Sequence, residues 1–335
     1  MSAPVVALSG GVGGAKLAQG LSDLVDGEAL TVIVNTGDDF EHLGLHISPD
    51  IDSVVYAMAG LDDPRRGWGR RDESWAFMAA LTALGGPDWF ALGDGDLAMH
   101  VERTRRLAAG VRLGAVTQAL ATALGVRARI VPMSDDAVRT RVHTDQGVLA
   151  FQEYFVHRRC EPRIRSFRFE GVERARAHAA AIGALRDPGL RAVVICPSNP
   201  FVSIDPILAV PGMRAALGQV CAPVIAVTPI VGGRAVKGPA AKMLAELGLA
   251  VSGESVAQHY AGLIDAFVFD VADGQAPAPA APRAPGMRGF RLDTLMRGPE
   301  ERRRLAAEVL ALADRLAAEG FTGRAGRVRA LDPSG

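Results

Sequence analysis

The sequence predicts an α/β protein built on a doubly wound, mostly parallel sheet. Three observations carry that prediction. Short apolar runs at 5–8, 30–34, 191–196, 223–227 and 266–269 alternate with segments of helical periodicity, the rhythm of a parallel sheet covered on both faces. The first four runs each end in a polar or glycine-containing loop, and such a sheet binds ligands beyond the carboxyl ends of its strands. The chain has 335 residues, 49% of them hydrophobic and 22% charged, which suits a large buried core in an ordinary globular protein.

Composition removes several classes of function. Basic and acidic residues balance at 37 each, which argues against nucleic acid as the main partner. No apolar run is long enough to span a membrane, and no basic region precedes the first apolar stretch, so no membrane partner is expected. Cys160, Cys196 and Cys221 are odd in number and lack C-x-x-C spacing. They read as small core residues of a cytoplasmic protein.

The first strand, Val5 to Leu8, runs into Ser9-Gly10-Gly11-Val12-Gly13-Gly14-Ala15-Lys16, and Leu17, Leu21 and Leu24 follow at helical spacing. Strand, glycine loop and helix together aim backbone N–H groups at an anion. The G-G-x-G-G spacing matches neither the dinucleotide fingerprint nor the P-loop, and a glycine turn at a strand end also serves as a plain tight turn. Lys16 favours the phosphate reading. Only three lysines, Lys16, Lys237 and Lys242, stand against 34 arginines, and each lies in or just after a glycine-containing loop. The second strand ends in Asn35-Thr36-Gly37-Asp38-Asp39, and Pro49-Asp50-Ile51-Asp52 precedes an apolar helix near Val54 to Met58. Asp50 also fits an N-cap.

Residues 61–75 read as loop, with Trp68 set between Gly67 and Gly69. Helices are expected at Ser74–Leu84, Leu97–Leu107 and Val116–Leu124, with Asp94-Gly95-Asp96 as a turn before the helix that carries His100. Alternation over 139–143, 147–151 and 164–169 predicts a small β-meander. The α/β rhythm then resumes, with Ser198 and Asn199 between two prolines at the end of one strand. In that setting Asn199 either bonds its own backbone or donates to a ligand. Residues 275–285 form a Pro/Ala-rich connector, 303–318 an amphipathic helix, and the last dozen residues a tail. The domain reading is 1–128 for a nucleotide-binding α/β half with a helical insert, 129–170 for the meander, 171–320 for the second α/β half and C-terminal helix, and 321–335 for the tail. The whole is Rossmann-like.

S-G-G-V-G-G-A-K (9–16), N-T-G-D-D (35–39), P-D-I-D (49–52), L-G-D-x-D (92–96), P-M-S-D-D (132–136), F-Q-E-Y (151–154), P-S-N-P (197–200), T-P-I-V (228–231) and D-T-L-M (293–296) occur in that order. The set resembles the 2-phospho-L-lactate transferase family, from about residue 4 to about residue 315. The resemblance implies transfer of a phospho-acyl group (lactyl, enolpyruvyl or a related acid) from a guanosine diphosphate adduct to the terminal ribityl hydroxyl of the deazaflavin Fo. GMP is released, in coenzyme F-420 biosynthesis, with a divalent metal and a homodimeric enzyme. On that reading Gly10, Gly11, Gly13, Gly14, Lys16, Ser198, Asn199 and Lys237 contact the nucleotide. Asp38 and Asp39 hold Mg²⁺, whose preference is for carboxylates and water. Asp50 or Asp52 handles the attacking hydroxyl, and Asp50, Asp52, Trp68, Asp94 and His100 form the deazaflavin side. His100 also reads as a partner of Asp96 four residues earlier, and most tryptophans are packing residues.

Family members commonly read L-G-D-R-D where this chain has Leu92-Gly93-Asp94-Gly95-Asp96. Loss of that arginine suggests an acid other than lactate, with phosphoglycerate or phosphoenolpyruvate as candidates. The competing function is a non-catalytic regulatory protein that binds uridine-diphospho-sugars, from a related family that shares the glycine loop and an aspartate pair. Its members typically carry a glycine-serine cluster where this chain reads Phe40-Glu41-His42-Leu43-Gly44.

Overall fold

The computed structural model describes residues 2–274 and 287–319. The chain opens with strand β1 (Val5–Ser9), helix α1 (Gly11–Ser22) and strand β2 (Leu30–Val34). A hairpin of β3 (Phe40–His42) and β4 (Leu45–Ile47) leads into α2 (Pro49–Met58), α3 (Ala76–Ala83), α4 (Asp94–Ala108) and α5 (Leu113–Ala123), which form the helical insert. Then come β5 (Arg129–Pro132), β6 (Arg139–Thr144), β7 (Gly147–Ala150) and β8 (Ile164–Glu170). The second half runs α6 (Ala179–Leu185), β9 (Ala192–Ile195), α7 (Asp205–Ala209), α8 (Met213–Gly218) and β10 (Val224–Val227). A ribbon of β11 (Ile230–Val231) and β12 (Arg234–Ala235) precedes α9 (Ala240–Glu246), α10 (Gly253–His259), β13 (Ala266–Asp270), β14 (Arg288–Leu292) and α11 (Pro299–Ala318).

Seven strands form one parallel sheet in the order β14-β13-β10-β9-β1-β2-β5. The chain winds outward from β1 in one direction, then returns to β1's other side at β9. The topological switch point therefore lies between β1 and β9, where a doubly wound sheet opens a crevice. Alternate strand residues face opposite layers. Val5, Ala7, Val32 and Val34 pack with Leu17 of α1, Ile51 of α2, Val116 of α5 and Leu305 of α11. Val6, Leu8 and Ile33 pack with α6 to α10 and with Val142, Leu149 and Ile164 of the small antiparallel sheet.

Several details differ from the sequence expectation. The small sheet exists, but its order is β7-β6-β8. It is not a meander, because β8 pairs with the free edge of β6 instead of following β7. Strand β5 pairs with β2 in the main sheet, so the segment 129–170 is divided and only its later part makes the antiparallel layer. Helix α1 begins at Gly11, so most of the glycine stretch is the helix's first turn instead of a loop. Helices α2 and α4 likewise start earlier, at Pro49 and Asp94, with the aspartates in their first turns. Asp50 is therefore not the N-cap; Ser48 holds that position. The connector at 275–285 and the tail at 321–335 lie outside the described residues. Among the described residues, no helix is long and apolar enough to cross a membrane.

Helix α1 is clamped between α2 and α11 by small residues. A Cβ on Gly20 would overlap the backbone carbonyl of Arg302 at the start of α11. Backbone cannot swing aside as a side chain can, and overpacking of a tight contact costs about 1–3 kcal/mol. Gly20→Ala is therefore expected to lower stability by about that amount in urea unfolding. An unchanged midpoint would show that α11 is free to shift.

Candidate active site

The switch-point crevice is built by close backbone approach. A Cβ on Gly13 would sit 2.5 Å from the Pro197 carbonyl oxygen, and one on Gly10 would sit 2.6 Å from both Asp50 Oδ2 and Ser203 Cβ. Only residues without a side chain let the start of α1 meet the loop after β9 this closely. The Gly10 N–H donates to Ser198 Oγ at 3.1 Å, and the Gly11 N–H donates to Asp50 Oδ1 at 2.7 Å. The other Asp50 oxygen accepts from Asn35 Nδ2 at 2.9 Å.

Asp50 and Asp52 do not act on the same space. Residues two apart on a helix point to different sides. Asp50 faces the crevice, whereas Asp52 faces α4, where Arg103 engages both of its carboxylate oxygens. Arg103 Nη1 also lies 3.1 Å from His100 Nδ1. A guanidinium only donates, so Nδ1 accepts and the imidazole proton sits on Nε2. Nε2 lies 3.3 Å from Asp96 Oδ1 without hydrogen-bond geometry, and Asp96 accepts from Tyr56 Oη at 2.6 Å. Five polar side chains thus form one buried network between α2 and α4.

The carboxylates carry unequal electrostatic burdens. Burial pushes the Asp50 carboxyl up to about 6, against the hydrogen bonds from Asn35 and Gly11. Its ionised form is the disfavoured one in the fold. Its stabilising contribution is complete below the usual carboxylate range, near pH 4, and is lost as pH rises through about 6. Asp38 is held well above the ordinary value by burial, then by the charges of Asp50 and Asp39. Burial also raises Asp52, opposed by Arg103 and His100. Burial works to raise Asp96 as well, but His100 and Tyr56 outweigh it and leave the group lowered.

Asp38 and Asp39 follow β2 and are both buried. Asp39 Oδ2 accepts from Ser48 Oγ at 2.9 Å and lies 3.1 Å from His46 Nε2. Asp38 Oδ1 and Asp39 Oδ1 are buried without a hydrogen-bond partner among the described residues, as are the nearby hydroxyls of Thr36 and Thr140. Unpartnered oxygens of this kind suit a hard divalent cation. A second grouping, Asp52, Asp96 and His100, brings its ligand atoms within 4.8 Å of one another. There the Arg103 guanidinium already neutralises Asp52, so Asp38 and Asp39 fit a metal better.

On the other side of α1 a cavity of about 100 Å³ is lined by Lys16, Lys237, Arg297, Arg302, Ser53 and Trp68, among others. Lys16 Nζ donates to the Met296 carbonyl at 2.9 Å, and Lys237 Nζ to the Gly67 carbonyl at 2.6 Å. Burial lowers the Lys16 pKa, and the charges of Arg302 and Lys237 lower it further. Asp62 also lines the cavity and pairs with Arg302 at 2.7 Å, so part of this positive charge is met within the protein, and an anion would stabilise the rest. Ser53, one helical turn beyond Asp50 on α2, lines this cavity.

The remaining expected residues divide. Trp68 is half exposed on the cavity wall. Gly14 packs against the hydroxyls of Ser9 and Ser198. Asn199 builds its own turn, accepting from the Phe201 N–H at 3.0 Å while its Nδ2 meets Met243 Sδ. Asp94 spends both oxygens on the start of α3, accepting from Ser74 Oγ and from the N–H groups of Ala76 and Phe77. Sequence reasoning missed Asn35, Tyr56, Arg103, Arg297 and Arg302. Arg103 had a signal, since it lies three residues beyond His100 on the same helix face. Arg297 and Arg302 come together with Lys16 only through the packing of α11 on α1.

Fold and site together define a doubly wound α/β protein with buried carboxylates at its switch-point crevice and a cavity lined by Lys16, Lys237, Arg297 and Arg302 across the first helix. The family model described as "2-phospho-L-lactate transferase CofD" matches residues 5–310. The "Phosphoenolpyruvate transferase" of Kitasatospora aureofaciens is 40% identical over 319 residues, covering 93% of this chain and 98% of that protein. The "2-phospho-L-lactate transferase" of Methanosarcina acetivorans is 39% identical over 310 residues, covering 92% and 99%. A crystal structure of a UPF0052 family member from Bacillus halodurans superposes with a TM-score of 0.58 at 15% identity, over 92% of this chain and 99% of that one. That last likeness concerns the fold alone. The chain belongs to the CofD family and is an enzyme of the 2-phospho-L-lactate transferase type.

Removing one partner of a buried ion pair leaves an uncompensated charge and costs about 3–5 kcal/mol. Arg103→Ala is expected to lose that much in urea unfolding, and Asp52→Asn in the same chain is expected to restore a large part. Equal losses in the single and double variants would show that Arg103 acts by packing instead.

Proposed function

We propose that this enzyme transfers a phospho-acyl group from a guanosine diphosphate-linked acid to the terminal ribityl hydroxyl of the deazaflavin Fo, releasing GMP, in coenzyme F-420 biosynthesis. The observation that carries the reading is the cavity of Lys16, Lys237, Arg297 and Arg302 set beside the helix that bears Asp50. A diphosphate needs several cations, and an attacking hydroxyl needs a carboxylate within reach of its proton. In the reaction the hydroxyl oxygen bonds to the phosphorus that carries the acid, and the bond from that phosphorus to the GMP oxygen breaks.

The four cations hold the diphosphate and balance the charge that collects on the departing GMP phosphate. Asp50, at about 6, is largely ionised near neutral pH yet basic enough to take the hydroxyl proton. Its hydrogen bonds from Gly11 and Asn35 fix its orientation. Trp68 offers a flat face beside the cations for an aromatic ring. Asp38 and Asp39 would hold Mg²⁺, which when bound neutralises phosphoryl oxygens as a Lewis acid. The named relatives include both enolpyruvyl and lactyl enzymes at nearly equal identity, so the acid remains lactyl, enolpyruvyl or glyceryl in this proposal.

Calorimetric titration with Fo, with GDP plus Mg²⁺, and with UDP-sugars tests the reading. Binding of Fo and GDP is expected, with GDP binding weakened by Lys16→Met. Binding of a UDP-sugar without any response to Fo would overturn the transferase reading in favour of a regulatory binding protein. Separately, Asp50→Asn is expected to lower kcat by roughly 10²- to 10⁴-fold while GDP binding persists. A near-normal kcat would remove Asp50 from proton transfer.

A further inference from the structure

The small antiparallel sheet reaches the carboxylates through its central strand. Along β6 the side chains of Thr140, Val142 and Thr144 are buried, and those of Arg139, Arg141 and His143 only partly so. Two of the buried three have an evident use. Val142 joins the apolar core. The Thr144 hydroxyl donates to the Gly147 carbonyl at 2.8 Å and accepts from the Gln146 N–H at 3.1 Å. Thr140 is 2% exposed, and its hydroxyl has no hydrogen-bond partner among the described residues. Burying a hydroxyl unpaired is unfavourable, and valine would suit the strand as well without that cost.

The backbone fixes where that hydroxyl lies. The Thr140 N–H donates to the Gly37 carbonyl at 2.7 Å, which ties β6 to the loop after β2. Thr140 also pairs with Phe169 of β8, so its register is set from the other side as well. Gly37 has no left-handed backbone angle, yet a Cβ there would sit 2.6 Å from Thr140 Oγ1 and 3.0 Å from Asn35 Oδ1. The close approach, not the conformation, calls for glycine, and it brings Asp38 beside Thr140. Burial and the Asp50 charge push the Asp38 carboxyl up, whereas Asn35 and the Thr140 hydroxyl favour its ionised form. Asp38 Oδ1 and Asp39 Oδ1 are themselves buried without partners among the described residues. Carboxylates and a neutral hydroxyl, all with unspent oxygens, make the mixed oxygen set that a hard divalent cation takes.

Resting on the transferase reading above, in which Asp38 and Asp39 hold a divalent cation, we infer that Thr140 Oγ1 is a third protein oxygen of that site. The small sheet then completes a site begun by the loop after β2. A neutral oxygen adds no charge where carboxylates already repel one another, which a further acid would do. The cation also gives β6 a second tie to that loop, beside the hydrogen bond from Thr140 to Gly37.

Mn²⁺ takes the same octahedral oxygen ligands as Mg²⁺, and its binding to the full chain is followed by electron paramagnetic resonance, alone and with GDP. Thr140→Val is expected to weaken Mn²⁺ binding roughly 10- to 100-fold. Thr140→Ser, which keeps the hydroxyl, is expected to bind close to wild type. Asp38→Asn is expected to weaken binding more than Thr140→Val does, since it removes a charged ligand. Mn²⁺ binding that survives Asp38→Asn undiminished puts the ion elsewhere, as at Asp52, Asp96 and His100, and overturns the inference. So does unchanged affinity in Thr140→Val, an equal loss in Thr140→Ser, or a wild type that binds no Mn²⁺ in either condition. Where Mn²⁺ binding depends on the Thr140 hydroxyl but neither Fo nor GDP binds, the cation site stands and only the proposed reaction fails.

Discussion

The approach of α1 to the loop after β9 is the constraint on which the site depends. Glycines at 10, 13 and 14 bring the helix start against Pro197, Ser198 and Ser203. That approach fixes the floor of the crevice at the switch point. It also turns the Gly11 N–H toward Asp50, which couples the first strand–helix unit to α2. The bulk of a single Cβ there would part α1 from the second half of the sheet. These glycines are used at least as much for helix packing as for leaving a phosphate room.

Charge is segregated around α1. Carboxylates gather on the crevice side, where desolvation and mutual repulsion raise Asp38 and Asp50. Cations gather in the cavity with Lys16, Lys237, Arg297 and Arg302. Burial and neighbouring like charges work against the charged forms of Asp38 and Lys16. Two charges are settled inside the protein, Asp52 by Arg103 and Arg302 by Asp62. Asp52 joins α2 to α4 in a cluster with His100, Asp96 and Tyr56, whereas Asp50 accepts from Gly11 and Asn35 on the crevice side.

Much of the main sheet was legible because buried parallel strands are short apolar runs bounded by loops, as at Val5 to Leu8 and Ala266 to Phe269. The β3–β4 hairpin was not, because its turn places Leu43 in the left-handed region where glycine or asparagine is the usual signal. Strand β14 escaped because Arg288-Gly289-Phe290-Arg291-Leu292 is a charged edge strand with little apolar signature. The order of the small sheet depends on which edge of β6 receives β8, and alternation carries no information on that choice. The separation of Asp50 from Asp52 was available in principle, since helical spacing sends them to different faces once α2 is known to begin at Pro49. Arg297 and Arg302 reach the cavity by tertiary packing over long sequence separation, which a motif read along the chain does not see.

A crystal structure of the protein with GDP, Mg²⁺ and Fo tests the central claim most directly. The account predicts the diphosphate against Lys16 and Arg302, and the terminal ribityl hydroxyl within hydrogen-bond distance of Asp50. A nucleotide seated instead at the far end of the sheet, in the cavity lined by Gly232, Gly233, Ser252 and Gly253, would contradict the placement of the reaction at the switch point.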